Sequence, residues 1–142
     1  MIVRVTTDLP ISAEAACQLA GKTALFRYVV WPVFTVGKIP ERWDVGQEIS
    51  ARLYFFGFLP AWKHYLKVVS AGAREIYSNE HGGPVKVWNH RLTFVPISER
   101  ACRYTDEVEV HAGLATLPTV LFAHVVYRWR QWRWRVLTRI LA

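Results

Sequence analysis

Hydropathy along this chain changes period once, and that change decides most of what it can fold into. From Gln47 to Ala112 apolar and polar residues alternate in twos, whereas from Thr116 onward they recur with a helical period. Alternation of that kind buries one face of a strand and wets the other. Residues 48–56, 62–70, 73–79, 85–95 and 101–112 form five such runs. The stretches between them are Gly57 to Pro60, Ala71-Gly72, His81-Gly82-Gly83-Pro84 and Pro96 to Arg100. Links this short join neighbouring strands as hairpins, so the block predicts an antiparallel meander.

The flanks fit the same reading. Residues 2–7 alternate as a half-buried strand that Pro10 stops. Ser12 caps a helix with Glu14 in its first turn and Gly21 at its end. Residues 22–30 read as a second short helix, broken at Trp31-Pro32 because proline disfavours helix at the residue before it. Residues 33–46 are irregular or hold one short strand. Thr116 caps the last helix and Pro118 sits in its first turn, where a missing N–H costs nothing. At roughly 25 residues that helix is about 37 Å long, enough to cross a sheet. On a helical wheel Phe122, Val125, Val126, Trp129, Val136 and Ile140 share a face, predicted to be the buried one. Arg128, Arg135 and Arg139 share another, predicted to face solvent, and Arg133 falls near the apolar arc.

Composition narrows the class. The chain has 142 residues, 52% hydrophobic and 20% charged, which excludes intrinsic disorder and fits one domain over residues 1–142. Its longest near-apolar stretch, Leu114 to Trp129, is shorter than a membrane span and runs into arginines. Cys17 and Cys102 lie far apart, with no CxxC or Cys/His cluster, so no metal site and no cofactor are implied. The N-terminus lacks the apolar core of a signal peptide, and a reducing cytoplasm with both thiols free is expected. Net charge is +7, and none of the eleven acids follows Glu109.

The order is strand, two short helices, antiparallel strands and one long C-terminal helix: an α+β fold. With the opening strand running into Leu9-Pro10-Ile11-Ser12-Ala13-Glu14-Ala15, and Tyr104-Thr105-Asp106-Glu107-Val108-Glu109-Val110 feeding the last helix, the whole chain resembles the START-like (SRPBCC) superfamily. That resemblance implies a helix-grip fold, a curved antiparallel sheet of six or seven strands wrapped around the C-terminal helix. It also implies a deep apolar cavity between the two. The superfamily includes lipid and hormone binders as well as polyketide aromatases and cyclases. The expectation is therefore binding or carriage of a hydrophobic or aromatic, lipid- or polyketide-like molecule, with no catalysis required.

Hairpin centres near Ala71, Gly82 and Ser98 set a register. They place Leu66, Ile76, Trp88 and Val108 in one row, and Val68, Arg74, His90 and Asp106 in the next. The inner face then carries the candidate ligand-binding residues Trp62, His64, Leu66, Arg74, Ile76, Trp88, His90, Tyr104 and Asp106, with Trp129 contributed by the helix. The outer face carries Arg52, Lys63, Lys67, Lys86, Arg91 and Arg103. Arg74 is positioned to pair with a ligand carboxylate or phenolate. His90 and Asp106, with Arg74, are also the catalytic candidates of the alternative reading, a cyclase- or aromatase-like acid–base enzyme. The opposing reading is a buried network that only fixes register. Cys102 reads as a small core residue.

Residues 127–135 interleave arginine with tryptophan. A third reading therefore makes the last helix a membrane- or protein-docking module, touching an anionic membrane through Arg128, Arg135 and Arg139. Nucleic acid is not expected, since no recognition motif is visible. The oligomeric state and the identity of the ligand stay open.

Overall fold

A computed structural model describes residues 1–142. The strands are β1 (Ile2–Leu9), β2 (Phe34–Val36), β3 (Glu48–Phe55), β4 (Leu59–Ala71), β5 (Glu75–Gly82), β6 (Val87–Ser98) and β7 (Ala101–His111). Helices α1 (Ala13–Ala20) and α2 (Thr23–Val30) follow β1, and α3 (Thr116–Leu141) ends the chain. All seven strands form one antiparallel sheet in the order β1-β7-β6-β5-β4-β3-β2. The sheet curls around α3 as a half-barrel, and α1 and α2 close its side.

Local chemistry sets the boundaries. The Ser12 hydroxyl accepts the Ala15 N–H at 3.2 Å and starts α1. Trp31, held extended before Pro32, stops α2. The Thr116 hydroxyl accepts the Ala112 N–H at 2.9 Å and donates to the Gly113 carbonyl, tying the β7 exit to the start of α3. The short strand allowed for in residues 33–46 is β2. In β1, Val3, Val5, Thr7 and Leu9 point inward and the residues between them outward.

Two boundaries differ from the sequence reading, and each moves a site residue. Strand β5 continues through His81 and Gly82, which the Gly-Gly-Pro signal had placed in a loop. Glu80 thereby joins the inner face. Gly82 is needed there: a Cβ would stand 2.7 Å from the Lys63 carbonyl and 2.8 Å from the Trp62 ring. The β4–β5 turn falls later than predicted, so Arg74 lies in the turn and not in a strand.

The observed register pairs His90 with Val108, Leu92 with Asp106 and Phe94 with Tyr104. His90 was predicted opposite Asp106 and Leu92 opposite Tyr104, so the sheet is slipped by two residues, with an irregularity at Pro96/Ser98 near the hairpin end. On β4 and β5, Leu66 faces Glu80 and Val68 faces Ser78, where Ile76 and Arg74 were expected. Ile76 pairs with Leu92 instead of Trp88. Every slip is even, so the inner and outer faces survive. The outer face is laced by exposed ion pairs such as Arg103–Asp8 and Arg91–Glu75.

Helix α3 is turned about its axis relative to the wheel reading. Its buried residues are Val120, Ala123, Val126, Tyr127, Arg130, Gln131, Trp134 and Thr138. Val125 and Ile140, predicted inside, are 69% and 76% exposed. The rotation is roughly a third of a turn. Its cause is polar: Gln131 donates across to the Val5 carbonyl (2.6 Å) and to Asp106 (3.0 Å), while the Thr138 hydroxyl is satisfied within the helix by the Trp134 carbonyl (2.8 Å). These bonds carry polar residues into the core, where a hydropathy pattern does not place them.

Candidate functional site

Between sheet and helix lies a cavity of about 150 Å³, lined by 25 residues of which 19 are hydrophobic. Its walls come from α2 (Leu25, Val29), β4 (Trp62, Leu66, Val68), β5–β6 (Ile76, Trp88, Leu92) and α3 (Phe122, Val126, Trp134). Phe34, Phe55, Trp62 and Phe122 cluster together, Phe34 stacked on Phe55 at 5.1 Å and the other contacting pairs edge-to-face at 5.8–6.4 Å between centroids. His64, Ser78, Glu80, His90 and Arg130 supply the polar lining.

These polar groups belong to two networks. In the first, Glu80 is buried between the Ser78 hydroxyl (2.5 Å) and His64 Nε2 (2.7 Å). His64 Nδ1 accepts the Trp62 indole N–H at 3.3 Å, which assigns the imidazole proton to Nε2, facing Glu80. Burial pushes the Glu80 carboxyl up, but the His64 hydrogen bond and the electrostatic attraction of His64 and His90, with the Ser78 bond adding least, outweigh it and hold the group below the usual carboxylate value. In the second, Asp106 is fully buried and accepts from His90 Nε2 (2.8 Å), the Tyr104 hydroxyl (2.6 Å) and Gln131 (3.0 Å). Burial again raises its pKa, and the Arg130 charge together with these donors brings it below the ordinary aspartate value. Both carboxylates are ionised at neutral pH.

Arg130 belongs to this second group but is bound differently. It is 7% exposed, and its guanidinium lies 4.9 Å from the Tyr127 ring centroid. Its nearest carboxylate oxygen, on Asp106, is 4.0 Å away, too far for a hydrogen bond, and Nε has no partner at all.

The predicted site residues therefore divide three ways. Trp62, His64, Leu66, Ile76, Trp88 and His90 line the cavity. Tyr104 and Asp106 stand behind its wall, fully buried, with Tyr104 stacked on Phe94 at 5.0 Å. Arg74 and Trp129 are outside it. Arg74 is more than half exposed and pairs with Glu14 at 2.6 Å, because the turn carries it past the end of the inner face. Trp129 donates to the Trp31 carbonyl at 2.9 Å and packs on Trp132 on the outside of α3. Its neighbour Arg133 sits 3.8 Å over the Tyr28 ring and donates to the Tyr28 carbonyl (3.1 Å), clamping α3 to α2.

Glu80 and Arg130 were missed, one because its strand was ended early and the other because the wheel reading took a different face of α3 as the buried one and assigned Arg130 to none. The signal for Arg130 was its spacing: Tyr127, Arg130 and Trp134 follow at three and four residues and share one face. Cys102, as read, is a buried core residue. Burial, with Asp8 and Glu14 adding to it, pushes its thiol up to about 11, so it is no nucleophile.

A curved antiparallel sheet gripping a long helix over an apolar cavity defines a helix-grip fold. The fold of this chain is START-like (SRPBCC). A START superfamily protein from Mycobacterium smegmatis superposes with a TM-score of 0.75 at 16% identity, covering 99% of both chains. Protein CV1439 from Chromobacterium violaceum gives 0.78 at 13% identity over 97% of each chain. Norcoclaurine synthase from Thalictrum flavum, in complex with dopamine and hydroxybenzaldehyde, gives 0.64 at 12% identity, covering 92% of this chain and 84% of that one. No protein-family model and no curated protein sequence matches the chain.

Proposed function

We propose that the chain binds or carries a small hydrophobic, aromatic molecule in this cavity, without needing to transform it. The observation that carries this reading is a partly open apolar cavity whose few polar groups are His64, Ser78, Glu80, His90 and Arg130. Its volume suits one or two aromatic rings. The norcoclaurine synthase neighbour, captured with two single-ring aromatics, supports that ligand class. Native mass spectrometry of purified protein should detect a co-purified apolar molecule, and an environment-sensitive dye should enter the emptied cavity. Val126→Trp, which fills the cavity from α3, should reduce dye uptake at least tenfold while far-UV circular dichroism stays unchanged. Absence of both a co-purified molecule and dye uptake would overturn the reading.

One observation favours the enzymatic alternative. Asp106 holds His90 by Nε2 at 2.8 Å, leaving Nδ1 as the ring nitrogen for a bound molecule. On this reading His90→Ala abolishes turnover of an aromatic or polyketide-type substrate and leaves its affinity within threefold. On the carrier reading affinity falls and there is no turnover to lose.

The outward stripe of α3 supports a contact with an anionic membrane. Leu117, Leu121, Val125 and Trp132 are all exposed along it, with Arg128 and Arg139 between and beyond them and no acid anywhere in the helix. Arg135 leaves that set, because its guanidinium turns to the Thr7 hydroxyl at 3.1 Å. No helix is long and apolar enough to cross a membrane, so the contact is peripheral. Flotation with phosphatidylserine vesicles should exceed that with phosphatidylcholine vesicles severalfold at low salt, and Arg128→Glu with Arg139→Glu should erase the difference. Two free, buried cysteines agree with a reducing, cytoplasmic location.

A further inference from the structure

We propose that the ligand is an aromatic carboxylate and that the Arg130 guanidinium is its anchor; this rests on the cavity-binding reading above. The argument is a count of donors and acceptors at the polar end of the cavity. Asp106 Oδ1 is taken by His90 and Tyr104, and Oδ2 by Gln131. Glu80 Oε1 is taken by Ser78, and Oε2 by His64. Both acids are supplied with protein donors.

Arg130 is the opposite case. Its five N–H groups make no hydrogen bond to the protein, although the residue is only 7% exposed and lines the cavity, and Nε is wholly buried without a partner. A buried donor left without an acceptor costs free energy, and a buried cation costs more. Asp106 at 4.0 Å offsets part of the charge but satisfies none of the N–H groups. The deficit is therefore one of acceptors, in a flat fork of parallel N–H bonds. A carboxylate presents two oxygens in matching geometry and adds the charge that Asp106 compensates only at a distance.

The surroundings select the rest of the molecule. Trp88 donates its indole N–H, its one polar group, to the hydroxyl of Tyr127 at 3.0 Å, and the two stacked rings present ring surface, that of Tyr127 lying 4.9 Å from the Arg130 guanidinium. Past them the lining is Leu66, Ile76, Leu92 and Trp62. A planar ring carrying a carboxylate on a short arm fills both environments. The excess of basic charge on the protein, +7 overall, favours the approach of such an anion.

Cinnamate and its neutral isostere cinnamamide test the proposal, with binding read by quenching of tryptophan fluorescence and by titration calorimetry. Wild-type protein should bind cinnamate at least tenfold more tightly than cinnamamide. Arg130→Met, which keeps length and removes the fork, should lose that preference and bind the two probes with affinities within threefold of each other. Arg130→Lys, retaining charge without the fork, should keep only part of it. Equal affinities for the two probes in the wild type, with a neutral dye still entering the cavity, overturn the anchor and spare the cavity. Exclusion of the dye and both probes overturns the cavity reading itself. The wild-type comparison needs no variant, so it decides the matter even where Arg130→Met folds poorly.

Discussion

Replacing Asp106 by alanine should cost the fold about 3–5 kcal/mol, because it strands a buried cation and three donors at once. Asp106 is fully buried, and every group around it was placed by its charge: His90 from β6, Tyr104 from β7 itself, Gln131 and Arg130 from α3. Without the carboxylate, Arg130 has no counter-charge within salt-bridge distance. Denaturant unfolding of Asp106→Ala and Arg130→Met, singly and combined, measures this. The double variant should be much less destabilised than the sum of the singles, since the second change removes the charge that the first exposes. Additive losses would mean that the two side chains are energetically independent. The pH dependence has a definite sign. Asp106 and Glu80 both have folded-state pKa values below their ordinary ones. Their contribution is therefore fully present above the ordinary values of 3.8 and 4.5 and is lost as pH falls through the lower folded ones. Wild-type stability should drop steeply in that acid window, and Asp106→Asn should flatten the drop.

The sheet was legible because its information is local and repetitive. Alternation assigns each strand residue to a face by parity alone, and parity is untouched by the two-residue slip that moved His90 from Asp106 to Val108. Turn positions carry less information. An error of a few residues at Ala71–Glu75 put Arg74 inside the barrel when it pairs with Glu14 on the surface. Glu80 was lost in the same way, at the end of β5. The face of α3 was misjudged for a deeper reason. A wheel ranks faces by hydropathy, yet this helix buries Arg130, Gln131 and Thr138 and exposes Leu117, Leu121 and Val125. Thr138 is satisfied within the helix, but Gln131 depends on Asp106 and the Val5 carbonyl, 25 and 126 residues away in sequence, and Arg130 has Asp106 as its counter-charge. Such partners become visible only once the sheet has brought them together. Arg74 is thus replaced at the cavity by an arginine on a different element, and of the aromatic residues expected to line it Trp62 and Trp88 do so, while Tyr104 lies behind the wall and Trp129 outside.

Trp134→Ala should cost about 3–5 kcal/mol and also change what the cavity admits. Trp134 is 1% exposed and packs 5.3 Å from Tyr104 and 6.2 Å from Phe94, centroid to centroid, so it joins α3 to β6 and β7 at the wall of the cavity. Truncation deletes that contact and opens a void continuous with the existing space. The indole N–H separates packing from polarity. It is buried with no hydrogen-bond partner, so in the wild type it contributes a desolvation cost and no bond. Trp134→Phe removes that orphan donor along with some volume, and the two effects oppose each other. Its loss should stay below about 1.5 kcal/mol, well short of the alanine variant. Thermal and denaturant unfolding compare the pair. A phenylalanine variant as damaged as the alanine one would show that the N–H has a partner the static structure lacks, such as an ordered water. For binding, the alanine variant should accept 2-naphthoate more tightly than the wild type does, while its preference for carboxylate over amide persists. Size is set by the wall at Trp134 and charge by the fork at Arg130, one helical turn apart on α3, so the two selectivities should change independently.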